Sequence, residues 1–166
     1  MTMPIDRSGS AVVTLPSHTE ILITRKFDAP AELLFEVWTT PEHIRNWWGW
    51  ERDEMTVCEF DLRVGGKWRF AAGHAEYGEF AFSGECLEID PPNRLVSTET
   101  FEPFPDSKAV NTLTLEEEDG VTTMTVHVQH ETKEARDAHI GSGMESGLQH
   151  SLDRIDEILA TERETV

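Results

Sequence analysis

Basic side chains are scarce in this chain. It carries 14 Lys and Arg against 32 Asp and Glu, a formal charge of −18. Binding to nucleic acid relies on Lys and Arg neutralising phosphates, so nucleic acid is not an expected partner. The same deficit disfavours adsorption to anionic membrane surfaces. Its plain consequence is solubility through self-repulsion. Cysteine is almost missing as well. With only Cys58 and Cys86, no disulfide framework can form and at most one bridge is available. Both lie in apolar, strand-like runs, where a free Cys behaves as a small buried hydrophobe. No apolar run is long enough to span a bilayer, which excludes membrane insertion by a helix. Residues 1–10 lack the apolar stretch of a secretory signal, so a cytoplasmic location is expected.

Several catalytic signatures are absent too. There is no HExxH, no CxxC and no GxSxG. The 7 His residues do not converge on spacing alone. His127 and His130 are three apart in a strand-like run and point to opposite faces. His139 and His150 fall near one helical face but about 16 Å apart along the axis. Neither a metal nor a cofactor is expected. Gly65-Gly66 has no helix start or Lys-Ser/Thr after it, so it reads as a turn rather than a phosphate cradle.

What is present can bury a core. The chain has 166 residues, 38% of them apolar, with 5 Trp and 8 Phe, which suits one domain. Residues 1–18 read as an N-terminal tail in which Ala11-Val12-Val13 could add an edge strand. Residues 19–162 read as a single domain. Glu20 to Phe27 alternates as a strand. Pro30 starts a short helix with Ala31, Leu34, Phe35 and Trp38 on one stripe, and Thr40-Pro41-Glu42 starts a second, with Thr40 as its N-cap. Strands follow at 55–62, 67–72, 77–89, 94–101, 110–115 and 121–128, the last two joined through Glu118-Asp119-Gly120. Within 77–89 the apolar phase shifts at Gly84, which predicts a β-bulge there and turns Leu87 and Ile89 inward. From Glu131 the chain reads as a helix, with Met144, Leu148, Leu152, Ile155 and Ile158 on its stripe. The class is α+β: a curved antiparallel sheet gripping a long C-terminal helix, with two short helices after the first strand.

That order carries recognisable residues at its joints. They are Phe27-Asp28-Ala29-Pro30, Val37-Trp38-Thr39, Pro41-Glu42 leading to Trp47-Trp48-Gly49, and Val64-Gly65-Gly66-Lys67-Trp68. Further on come Glu88-Ile89-Asp90-Pro91-Pro92-Asn93-Arg94-Leu95 and Leu152-Asp153-Arg154-Ile155. Together, over roughly residues 19–160, they resemble the START-like superfamily, also called SRPBCC, whose fold is the helix-grip. Within it the chain is similar to the branch named after the activator of the heat-shock-protein ATPase. The resemblance implies a cavity between sheet and last helix. Its members bind lipids, hormones or polyketides, act as cyclases or hydrolases, or partner chaperones, and fold alone does not choose among these. Where many members carry Gly-Trp early in the last helix, this chain has Gly143-Met144.

The candidate ligand-binding residues are Trp47, Trp48, Trp68, Phe70, Phe80, Phe82, Met144 and Leu148. In the helix-grip arrangement, Trp68 and Phe70 face Met144 and Leu148, and Trp47 and Trp48 close one end. The aromatic group would supply stacking area in a cavity or simply fill a core. Arg69, Glu85, Glu99 and His127 are polar residues within strands; each sits on the solvent face or, if inward, could orient a ligand or move a proton. Gly141, Gly143 and Gly147 mark a close approach to the sheet, a kink or room for a ligand, or else the irregular start of a helix that begins near Met144. The reading is a binding module for a small apolar or amphipathic molecule, with a homodimer left open. The alternatives are a polyketide-cyclase- or hydrolase-type enzyme using the same cavity, and a chaperone partner. No catalytic residue stands out.

Overall fold

The computed structural model describes residues 11–48, 54–74, 78–103, 105, 108–141 and 144–164. Its order is β1 (Val12–Thr14), β2 (Glu20–Phe27), α1 (Ala31–Thr39), α2 (Pro41–Trp47), β3 (Glu54–Phe60), β4 (Lys67–His74), β5 (Gly78–Asp90), β6 (Arg94–Phe101), β7 (Lys108–Glu118), β8 (Val121–Gln129), α3 (Lys133–Gly141) and α4 (Met144–Glu164). The strands form one antiparallel sheet in the order β1-β2-β8-β7-β6-β5-β4-β3. The chain leaves β2, makes two short helices, re-enters at the opposite edge as β3, and meanders back until β8 pairs with β2. The inner face then has one long helix to bury it. This is the α+β helix-grip architecture.

Local chemistry explains the joints. β7 and β8 are linked by the two-residue loop Asp119-Gly120, with φ of 55° and 81°. Both values lie in the left-handed region that a tight hairpin turn requires and that Gly adopts freely. Pro30 sits just before α1, and the first helical N–H, that of Ala31, donates to Glu117 Oε1 on β7 at 2.9 Å. Thr40 does occupy the N-cap position of α2, but its hydroxyl makes no capping bond; its carbonyl accepts from Ile44 N–H at 2.9 Å.

The edge strand at Val12–Thr14 is present and pairs with β2. Its entry is held by α4, where Gln149 donates to Ala11 O and accepts from Ala11 N–H at 2.9 and 3.1 Å. The C-terminal segment is helical on both sides of residues 142–143, as α3 and as the long helix α4. Ser142 and Gly143 lie outside the described residues, as does the side chain of Met144.

Arg25 lies on the inner face of β2 with Ile21, Ile23 and Phe27, and only 1% of its side-chain surface is exposed. Its guanidinium pairs with Asp153 at 3.0 Å and Asp156 at 3.5 Å, both on α4, and lies 4.8 Å from the centre of the Phe27 ring. This inward charge ties the helix to the sheet and sets its position along β2.

The bulge predicted at Gly84 lies elsewhere. Between β5 and β6, Cys86 pairs with Ser97 and Glu88 with Val96, so the extra residue is Leu87. It is 41% exposed instead of inward, while Ile89 returns to the core. Gly84 itself pairs in register with Trp68. It is glycine because of a close approach: a Cβ there would stand 1.8 Å from Thr98 O and 2.6 Å from Trp68 Nε1. Those two atoms are hydrogen-bonded to each other at 3.1 Å across the glycine. Gly84→Ala is therefore expected to destabilise by at least about 2 kcal/mol in urea denaturation, because backbone must move. Gly73→Ala, where a Cβ meets nothing within 4 Å, should stay within about 0.5 kcal/mol of wild type. Equal effects would remove the close-approach explanation.

Candidate functional site

Between the inner face of the sheet and α4 lies a cavity of about 270 Å³. One end is aromatic. Phe60 on β3, Trp68 and Phe70 on β4, Phe82 on β5 and Trp48 at the end of α2 line it. Trp48 reaches across from the helix, its ring centre 5.6 Å from Phe70 and 5.8 Å from Phe82. Trp68 and Phe70 lie 4.9 Å apart. Two indoles are fixed through their N–H groups: Trp68 donates to Thr98 O, and Trp47 to Val37 O at 3.0 Å. Satisfied in this way, Trp can serve as a rigid apolar wall.

Of the residues singled out on sequence, Trp47, Trp48, Trp68, Phe70, Phe82 and Leu148 line the cavity. Phe80 stands behind them, 6.1 Å from Trp48, outside the lining. Nothing is described for the side chain of Met144.

The other end carries polar groups among the aliphatic Leu95, Leu113, Val126 and Val128. Ser97 and Glu99 on β6, Asn111 on β7, His139 on α3 and Ser151 on α4 face the same space. Asn111 Nδ2 donates to Glu99 Oε1 at 2.6 Å. Asn111 Oδ1 is buried and has no hydrogen-bond partner among the described residues. Behind the wall, His130 Nε2 and His139 Nδ1 share a hydrogen bond at 2.9 Å, with the donor set by the tautomers. His130 Nδ1 is also buried without a partner among the described residues. His130 is held in place through its backbone N–H, which donates to Thr19 O at 2.8 Å. The α3 helix that brings in His139 is held by Arg136, which donates to Ser17 O at 2.6 Å.

Among the four strand polar residues considered on sequence, Glu99 alone turns inward. Arg69 faces out and is paired with Glu102 through two bonds of 2.8 and 2.9 Å. Glu85 meets Lys67 at 3.5 Å, and His127 meets Glu20 on the outer face. Asn111, Ser97 and the histidine pair were not anticipated. Parity could have found the first two, since Asn111 alternates with the inward Ala109 and Leu113, and Ser97 with the inward Leu95. The histidines meet only because α3 folds back across the end of β8, which no spacing reveals.

A different set of groups, Glu36, His43 and Glu162, brings three ligand-type atoms within 4.8 Å of one another. They come from α1, α2 and α4, and at its core is an ion pair of 3.8 Å between His43 and Glu36 at the surface. Such exposed pairs form without a metal.

Burial drives the electrostatics of the polar end. The Glu99 carboxyl is pushed above its ordinary 4.5 by desolvation, with the Asn111 bond and the neighbouring His130 ring acting in the opposite direction. Burial also holds His130 and His139 below the ordinary 6.5, so both rings resist protonation. For Glu99 the folded form keeps a proton that the unfolded chain releases, so above 4.5 its contribution to stability falls as pH rises through the raised value. For the two histidines the unfolded chain takes up protons the folded form refuses, so their contribution falls as pH drops below 6.5. Glu99→Gln removes the first effect and, by taking away a charge that favours protonated His130, deepens the second, so both changes act in the same direction. Its stability relative to wild type is expected to increase as pH rises above 4.5 in chemical denaturation. A difference independent of pH would show that the Glu99 carboxyl titrates alike in both states.

Comparison with known proteins fits this geometry. A crystal structure of a protein from Rhodobacter sphaeroides shares 27% sequence identity and superposes with a TM-score of 0.84, covering 92% of this chain and 99% of that one. One from Mycobacterium smegmatis shares 25% identity at a TM-score of 0.77, covering 89% of this chain and 97% of that one. One from Nitrosomonas europaea, at 24% identity and a TM-score of 0.79, covers 90% and 99% and has the same fold. No curated protein matches the chain. The family model for activator of Hsp90 ATPase homolog 1-like proteins matches residues 28–160, and this chain belongs to that family.

Proposed function

We propose that this protein binds a small apolar or amphipathic molecule in the cavity between its sheet and α4. The observation that carries this reading is one cavity lined both by a wall of aromatic rings and by a group of buried polar side chains. A filled core would leave neither the space nor the buried, partly unpaired polar groups. At about 270 Å³ the cavity falls near the lower limit of ligand pockets, roughly 300 Å³, so the occupant is compact.

A second reading has its own support. An acid–base enzyme of the cyclase or hydrolase type needs an inward carboxyl and a second proton-carrying group on the same wall. Glu99 and His139 meet that requirement. It would use the same ligand site, so binding is the first thing to establish.

The test is titration with a neutral environment-sensitive dye such as N-phenyl-1-naphthylamine. Saturable binding to wild type is expected, and Leu148→Trp, which fills the space, should weaken it at least about tenfold. Truncation gives a second measurement. Leu148 borders the cavity, so Leu148→Ala opens no new void and should cost under about 1.5 kcal/mol. Ile155→Ala, in the packed stripe of the same helix, should cost about 2–5 kcal/mol. No saturable dye binding, with both truncations equally costly, would mean a filled core.

A further inference from the structure

We propose that the polar end selects a neutral hydroxyl group on the ligand, with Asn111 and Glu99 as the specificity-determining residues. This rests on the binding function proposed above and goes further by naming the chemical class of the occupant: a compact aromatic or alicyclic body bearing an uncharged hydroxyl.

Charge excludes one class first. Among the described lining residues there is no Lys or Arg, and the only ionisable groups are Glu99 and His139. A carboxylate or phosphate entering this space would lose its hydration with no cation to receive it, beside a carboxyl group. Anionic ligands are rejected.

The remaining choice is set by hydrogen-bond arithmetic at the Asn111–Glu99 pair. With Glu99 ionised, Asn111 Nδ2 donates to it and Asn111 Oδ1 is left facing the interior without a donor. With Glu99 protonated, the amide can turn over, accept the carboxyl proton at Oδ1, and leave Nδ2 without an acceptor. The first state needs a donor and the second an acceptor. A hydroxyl is both, so it satisfies the pair in either state, whereas an ammonium group serves only the first. Ser97, on the same wall, offers a rotatable hydroxyl that can follow either arrangement. A bare hydrocarbon would leave a buried polar atom unpaired, which is how such a site discriminates against an analogue lacking the group. The aromatic end holds the body of the ligand: Trp48, Trp68, Phe70 and Phe82 present flat apolar faces near β6, the strand that carries Glu99.

The experiment is isothermal titration of the full-length protein with four probes of one body: naphthalene, 2-naphthol, 2-naphthoate and 1-naphthylmethylammonium. The expected order is 2-naphthol tightest, at least about tenfold over naphthalene, with 2-naphthoate weakest. In Asn111→Leu, which keeps the branched shape at a larger volume and removes the polarity, the naphthol preference should fall to within about twofold while naphthalene still binds. Equal affinity of wild type for naphthalene and 2-naphthol would overturn the hydroxyl assignment and leave the binding function standing. Tighter binding of the ammonium probe would replace the neutral head group with a cation. A preference that survives in Asn111→Leu would take the selection away from this pair. Failure of all four probes to bind would reject the binding function itself. The wild-type series decides the ligand class even if the variant does not fold.

Discussion

One helix cannot cover the concave face of an eight-stranded sheet. Seven interstrand spacings of about 4.8 Å make the sheet about 34 Å wide, whereas a helix with its side chains is about 10–12 Å across. With 21 residues, α4 is about 31 Å long, so it can run the length of the face but not its width. The rest of the inner surface must be covered by something else. On the β2–β8 side, α1 contributes Leu34, Phe35 and Val37 to the core, and the residues around Phe27 and Met124 close tightly. On the β3–β5 side, large aromatic rings stand up from the strands and Trp48 leans over them. Between these two fillings the cavity is what remains.

The position of α4 determines the shape of that remainder. Arg25 is buried beneath the helix and takes Asp153 and Asp156 as partners, so a shift of the helix along β2 would leave an unpaired charge in the interior. Gly84 acts at the opposite side of the cavity. Its missing side chain lets the Trp68 indole cross to the Thr98 carbonyl, which holds the ring as a wall instead of leaving it to swing into the space. A charge clamp and a glycine gap thus act on the two sides of one cavity, and neither residue need touch its contents.

The polar end runs against the usual rule for interiors. Burying Glu99, Asn111, His130 and His139 together costs desolvation free energy, and the hydrogen bonds among them offset only part of it, since two buried atoms have no partner among the described residues. Leu or Val at these positions would give a more stable core. That cost is what the proposed binding function accounts for.

Taken alone, the sequence determined the fold class. Hydrophobic alternation in the strands, the Asp119-Gly120 turn and the stripe Leu148-Leu152-Ile155 on the last helix are local patterns, and each element forms where its own residues specify. The aromatic wall was legible for a similar reason: Trp68, Phe70 and Phe82 share an inward parity that can be counted along a strand. Tertiary structure alone decided the rest. The phase change in β5 is visible in sequence near Gly84, but the bulge at Leu87 is defined by its partners on β6, while Gly84 answers to Trp68 and Thr98. The bond of Glu99 to Asn111 and the meeting of His130 with His139 depend on which strands become neighbours and where α3 folds back. Those contacts join residues 12 and 9 positions apart on different elements, and no periodicity within one element carries that information.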